Sequence, residues 1–204
     1  LYLAKTPGIV KPVYKDLVWN ISTEKKEVFL TFDDGPTLEI TDQTLDILAS
    51  FKAKATFFCV GKNIAEHPEL YARILAEGHQ TGNHTNDHVN GWKTTDYTYF
   101  KNVLQCDKFV QSNLFRPPYG KIKRSQTRAL KNRFDIIMWD VLSGDFDTEI
   151  TAEQCLKNVV KHTTQGSIIV FHDSVKAGDK MLYALPRFLE EFSKNGYQFS
   201  AIPA

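Results

Sequence analysis

Two aspartates stand side by side at Asp33 and Asp34, followed at once by Gly35 and Pro36. His84 and His88 are four residues apart, Arg116 precedes two prolines, Asp140 and Asp145 follow one apolar run, and His172-Asp173 closes another. Carboxylates and imidazoles are the usual side chains of general acid–base work, and the same oxygen and nitrogen donors hold transition metals. Each group alone also has a structural reading. Asp-Asp-Gly-Pro is built of turn residues. A His-x-x-x-His pair falls on one face of any helix, a lone arginine is commonly half of an ion pair, and a lone buried histidine is commonly a hydrogen-bonded packing residue. His67, His79 and His162 stand in no such pattern and read as structural or surface residues. A functional reading therefore depends on where the groups fall together.

The elements that carry them alternate from about residue 28 onward. Val28 to Asp33 is apolar, β-branched and aromatic, and reads as a strand. A helix over Thr41 to Phe51 has Leu45, Leu48 and Phe51 on one face, and Ala55 to Val60 is the next strand. Pro68 suits the first turn of a helix ending near Gly78, before a short strand from His79 to Asn83. Thr95 can cap a helix carrying Phe100, Val103, Leu104 and Val110. Leu114 to Arg116 starts the fourth strand, Ser125 to Asn132 is a short helix, and Phe134 to Val141 is the fifth strand. Thr151 with Gln154 begins a capped helix to about Thr163, and Ser167 to Phe171 is the sixth strand. A last apolar-faced helix stops at Gly196, and Tyr197 to Ile202 is the seventh strand.

Seven strands separated by helices imply a parallel sheet with right-handed crossovers. Runs such as Ile136-Ile137-Met138-Trp139 and Ile168-Ile169-Val170-Phe171 suit strands buried on both faces. The polar groups fall at the C-terminal ends of strands one, three, four, five and six. An open sheet binds mainly at one switch point, whereas a barrel gathers residues from many strand ends, so the pattern predicts a distorted (β/α) barrel of about seven parallel strands. Residues 1–27 lie outside the alternation and read as an N-terminal extension packing on the barrel, with 28–204 as a single domain.

The chain has 204 residues, enough for one domain with a substantial core. A formal net charge of +1 argues against nucleic acid or anionic lipid as a partner, and no apolar stretch reaches the length of a membrane span. Cys59, Cys106 and Cys155 are widely spaced and read as small buried hydrophobes.

The motifs resemble a known family. Thr31-Phe32-Asp33-Asp34-Gly35-Pro36, Gly82-Asn83-His84-Thr85-Asn86-Asp87-His88, Arg116-Pro117-Pro118-Tyr119-Gly120, Met138-Trp139-Asp140 through Asp145-Phe146, and Ile169-Val170-Phe171-His172-Asp173 are similar, in order, to the five signatures of the polysaccharide deacetylases with a NodB-homology domain, carbohydrate esterase family 4. The resemblance implies Asp34, His84 and His88 as metal ligands, Asp33 as catalytic base and His172 as catalytic acid. It implies that Arg116 orients Asp33, that Asp145 tunes His172, and that the Tyr119 backbone N–H helps hold the oxyanion. Phe146 stands where the family usually has Trp, a departure that bears on substrate shape.

This set suits amide hydrolysis. Two histidines and a carboxylate leave coordination positions open on one divalent metal, Zn²⁺ first, with Co²⁺, Ni²⁺ or Fe²⁺ also admitted by the donors. The implied activity is removal of N-acetyl groups from a glycan containing N-acetylglucosamine, peptidoglycan or chitin-like. Such a substrate puts the enzyme outside the cytoplasm or in the cell envelope. An O-acetyl esterase on a polymer such as xylan would use the same site, a hydrolase of cyclic amides in the same superfamily would dispense with the metal, and a non-catalytic carbohydrate-binding barrel would tend to lack the base or the acid. Trp92, Tyr119 and Phe146 are candidate walls for a sugar-binding groove, since sugar rings present apolar faces to aromatic side chains. The oligomeric state is not legible.

Overall fold

The computed structural model describes residues 2–203. The strands are β1 (Glu27–Asp33), β2 (Thr56–Cys59), β3 (Gln80–Asn83), β4 (Leu114–Phe115), β5 (Asp135–Ile136), β6 (Val141–Leu142), β7 (Ile168–His172) and β8 (Gln198–Ser200). The helices are α1 (Val10–Val13), α2 (Ile40–Ser50), α3 (Gly61–Glu66), α4 (Pro68–Ala76), α5 (Asp96–Cys106), α6 (Arg124–Leu130), α7 (Ala152–His162) and α8 (Val175–Lys194). All strand pairings are parallel, in the order β5-β4-β3-β2-β1-β7-β6, with β8 added beside the start of β1.

The expected fifth strand is present in two pieces. β5 pairs with β4 at one edge of the sheet, and β6 pairs with β7 at the other. The Ile137 N–H donates to the Phe115 carbonyl at 2.8 Å, and the Asp140 N–H donates to the Ile168 carbonyl at 3.0 Å. One run of chain thus holds both edges of the curled sheet. Between the two, the Met138 N–H donates to the carbonyl of Val18, so the N-terminal segment takes up pairing that a continuous strand would have made.

This split corrects the expectation for Asp140. It precedes β6 and lies level with the first residue of β7, at the end of the barrel opposite the strand C-termini. There Asp140 accepts from Lys5 Nζ at 2.6 Å, Lys11 Nζ at 2.8 Å and Ser167 Oγ at 2.7 Å. It anchors the N-terminal segment, which also bridges Lys5 to Val141, Val18 to Ile137 and Asn20 to Ser167.

The helices pack as their periodicity requires. α2 buries Thr41, Thr44, Leu45 and Leu48, spaced three and four apart. α8 buries Ala177, Met181, Ala184, Leu185, Phe188, Leu189 and Phe192 on one stripe. Thr95 and Thr151 cap α5 and α7 by accepting from the N–H groups of Thr98 and Gln154. Beyond the expectation, α3 forms directly after β2, and α5 stops at Cys106, leaving Val110 buried outside the helix. The three cysteines are buried and unpaired.

β1 divides its side chains by strand alternation. Val28, Leu30 and Phe32 belong to the outer core beneath the helices, together with Leu45, Leu185 and Phe188. Phe29 faces the barrel interior with Phe58, Leu114, Ile137 and Ile168. Thr31 and Asp33 continue that inward row upward and meet the buried Arg116.

Candidate active site

Arg116 follows β4 and is fully buried, over the Phe58 ring at 4.1 Å. Its donors are spent within the barrel. Nη1 donates to Asp33 Oδ1 at 2.6 Å and to Thr31 Oγ1 at 2.7 Å, Nη2 to the Met138 carbonyl at 2.9 Å, and Nε to the Ile137 carbonyl at 3.2 Å. Burial pulls this guanidinium's pKa below its ordinary value, against the pull of the Asp33 carboxylate. A guanidinium does not deprotonate in a protein, so it remains the cation that holds the Asp33 carboxylate.

Asp34 is the next residue, yet it serves a different cluster. In a continuing strand its side chain would point away from that of Asp33. Its φ of +83° takes it out of the extended conformation. Its carboxylate lies 3.1 Å from His88 Nε2 and 3.7 Å from His84 Nε2. The following Gly35 has no room for a side chain, because a Cβ there would fall on the Asp173 carboxylate.

His84 and His88 are not on a helix. They bracket a loop after β3 in which Thr85 and His88 both have positive φ, at +63° and +53°. The His84 Nδ1–H donates to the Arg116 carbonyl at 2.8 Å, which leaves the Nε2 lone pair toward Asp34. Burial pushes the His84 pKa down to about 4, outweighing the nearby carboxylates, so the ring is neutral at physiological pH. Burial raises the Asp34 carboxyl pKa, but its hydrogen bond with His88 and the charges of the surrounding histidines prevail, and it ends well below the ordinary carboxylate range.

One ligand atom from each of Asp34, His84 and His88 lies within 4.8 Å of the others. Donors about 2.0–2.1 Å from a tetrahedral Zn²⁺ are about 3.3 Å apart, so the two measured separations bracket the required spacing. A neutral imidazole, an ionised carboxylate and a fixed tautomer are the states that metal ligation needs. The three residues fit a divalent cation.

His172 ends β7 in register with Asp33 on β1. Asp145 lies beyond β6 and is fully buried. It accepts from the His172 ring Nδ1 and from its backbone N–H, both at 2.7 Å. Burial disfavours the charged ring, but the charge and hydrogen bond of Asp145, then the charges of Asp34 and Asp33, raise the His172 pKa to about 9. Phe146 packs edge-on to His172 at 5.2 Å and against Tyr2 at the same distance. The Tyr119 ring lies 4.5 Å from His88, with its backbone held at φ +60°. Trp92 is 59% exposed, and its indole N–H is committed to the Ile122 carbonyl at 3.0 Å.

Sequence reasoning placed Asp173 at a strand end but gave it no role, and it missed Asn63 and Asn102, which also hold these loops. Asp173 accepts from the Gly35 N–H and from Thr41 Oγ1, and Asn63 Nδ2 donates to the Asp34 carbonyl. Asn102 on α5 clamps the histidine loop, accepting from the Asp87 N–H and donating to the Asp87 carboxylate. Strand parity was a usable signal for Asp173: if His172 faces the site, its neighbour faces away, toward the loop that follows β1. No local pattern marks Asn102. His79 is a packing residue whose Nδ1 accepts from the Ala55 N–H.

Comparison with known proteins identifies the family and the fold. A family profile described as polysaccharide deacetylase matches residues 20–135. A peptidoglycan-N-acetylglucosamine deacetylase of Bacillus cereus is 32% identical over 193 residues, covering 91% of each chain. A peptidoglycan-N-acetylmuramic acid deacetylase of Bacillus subtilis is 28% identical over 89% of this chain and 39% of its own length. Among solved structures, a peptidoglycan N-acetylglucosamine deacetylase in complex with 4-naphthalen-1-yl-N-oxidanyl-benzamide superposes with a TM-score of 0.88 at 31% identity, over 97% of this chain and 95% of that one. With the profile spanning more than half of the chain and a relative matched along nearly its whole length, this chain belongs to the polysaccharide deacetylase family.

Proposed function

We propose that the protein is a metal-dependent deacetylase that removes N-acetyl groups from glycans containing N-acetylglucosamine, with peptidoglycan as the principal substrate. The observation that carries this reading is the convergence, on one rim, of a metal-capable Asp34–His84–His88 cluster with Asp33 held by Arg116 and His172 held by Asp145. The names of the relatives support peptidoglycan as the glycan, and that substrate implies work outside the cytoplasm or in the cell envelope. The N-hydroxyamide bound by the relative offers two oxygens suited to chelating a metal, which supports metal dependence.

Asp34, His84 and His88 hold the cation. When bound, a divalent cation supplies a Lewis acid that polarises the acetyl carbonyl and makes water more acidic, and Zn²⁺, Co²⁺, Ni²⁺ or Fe²⁺ would all accept these donors. Asp33 takes the proton from the attacking water. The Arg116 Nη1 donor fixes the direction of that carboxylate. The Tyr119 N–H donates to the acetyl oxygen as negative charge develops there. His172, protonated and pinned through Nδ1 to Asp145, presents Nε2–H to the departing amine, which needs a proton to leave. Phe146 restricts the His172 ring from one side, and Trp92 with Tyr119 offers aromatic surface to the sugar.

The test is release of acetate from N-acetylglucosamine oligomers and from peptidoglycan fragments, followed by mass spectrometry. Untreated, chelated and metal-restored protein would be compared. The reading expects turnover that chelation abolishes and a divalent metal restores. Full turnover after chelation would remove the metal from it, and release confined to O-acetylated polymers would make the protein an esterase.

A further inference from the structure

We propose that the cleft between the N-terminal segment and α6 is a second binding site, which takes a carboxylate-bearing part of the glycan. This inference rests on the deacetylase reading above. The cleft encloses about 400 Å³, within the range of sites for small ligands. It adjoins the catalytic rim through the loop after β4. Gly120 lines it, and the preceding Tyr119 packs on His88.

Its aromatic wall is Tyr14, Trp19 and Trp92. The Trp92 ring is fixed by its bond to the Ile122 carbonyl, and Lys121 Nζ lies 4.0 Å from its centre. The far wall is held in place because Val18 pairs with Ile137 between its neighbours Leu17 and Trp19, which both line the cleft.

The charge is one-sided. Lys15, Arg124, Arg128 and Lys131 face the cleft against a single carboxylate, Asp16, and that carboxylate is taken by Lys131 at 3.0 Å. Among the described residues Lys15, Arg124 and Arg128 form no ion pair. The whole chain is nearly neutral at +1, so this is a local concentration of cations. Aromatic rings suit the apolar face of a sugar, and unpaired guanidinium groups suit a carboxylate. A neutral chitin-like chain would leave those cations unused. The ligand chemistry that uses both is a sugar with a pendent carboxylate, from a lactyl ether on the ring or from a peptide attached to it.

The experiment compares kcat/KM for three substrates of equal sugar length: a neutral N-acetylglucosamine oligomer, a muramyl oligomer with free lactyl carboxylates, and the same oligomer carrying peptides. The protein is compared with R124A/R128A and R124K/R128K. The ratio of kcat/KM for an anionic substrate to that for the neutral one is expected to fall roughly fivefold in R124A/R128A, through KM, and to be largely kept in R124K/R128K. A fall on the lactyl substrate identifies the lactyl carboxylate as the ligand, and a fall only on the peptide-bearing one identifies the peptide. An unchanged ratio on both overturns the proposal. If no substrate is turned over, the deacetylase reading fails by itself. Fragment binding followed by tryptophan fluorescence then still tests the cleft: binding that R124A/R128A weakens supports it, and binding indifferent to the substitutions overturns it.

Discussion

At the C-terminal rim of the barrel, Asp33 and Asp145 are buried against Arg116 and His172. At the opposite end, Asp140 is buried against Lys5 and Lys11. The local physics is the same in each case: a desolvated carboxylate made tolerable by a close cation and added hydrogen bonds. The difference lies in what surrounds the pair. The rim pairs sit beside a third cluster of donors, and one of their cations, His172, can give up its proton, with a pKa raised to about 9. The pair at the floor joins lysines of the N-terminal segment to the barrel wall, and among the described residues no metal-capable cluster accompanies it. A buried ion pair is therefore no mark of catalysis by itself, and substituting each carboxylate or its neighbours should separate the two ends of the barrel.

The largest effect is expected where the rim differs most from the floor. His84→Ala should lose both bound metal and turnover, with circular dichroism unchanged, as measured by metal analysis and acetate release. Retained metal at full stoichiometry would place the cation elsewhere. Next, Asp33→Asn should keep the metal and lose about 10²–10⁴-fold in turnover, the usual contribution of a general base. An empty site in that variant would mean that the two neighbouring aspartates exchange roles.

Asp145→Asn should have a smaller effect with a distinct signature. Its charge and hydrogen bond lead the groups that raise the His172 pKa to about 9 against the cost of burial. An acid must be protonated to act, so activity falls as pH rises through that value. Removing the negative charge lowers it, and the basic limb of the pH–rate profile should move to lower pH. A limb that stays in place would assign it to another group.

The smallest effect on catalysis is expected at the floor. Asp140→Asn should leave the pH–rate profile as it is and reduce folding stability by about 2 kcal/mol, measured by urea unfolding. Burial raises the Asp140 pKa, but Lys11, Lys5 and Ser167 lower it further, leaving it below the ordinary value. Its stabilisation is thus present above the ordinary carboxylate range and lost as pH falls through the lowered value. The stability difference between the protein and Asp140→Asn should shrink on acidification.

Much of this was legible in the residues. Apolar runs of four to six residues separated by amphipathic helices determined a parallel sheet, because only strands covered on both faces read that way. Thr95 and Thr151 announced helix starts, and polar groups at successive strand ends marked the rim. The sequence motifs also named every member of the Asp34–His84–His88 cluster. Tertiary structure alone decided three things. It split the fifth strand, because the run from Asp135 to Leu142 must hold both edges of a curled sheet while Val18 bonds between them, and that put Asp140 at the floor. It set the Asp34 carboxylate beside His84 and His88 through a positive φ, a backbone turn that no alternation rule foretells, although the motif resemblance had already given the two aspartates separate roles. It also brought Asp173 and Asn102 to the ligand loops from elements more than ten residues away in sequence. Side-chain type and spacing report what a segment can bury or bind, whereas the partner that reaches it across the fold depends on how the layers pack.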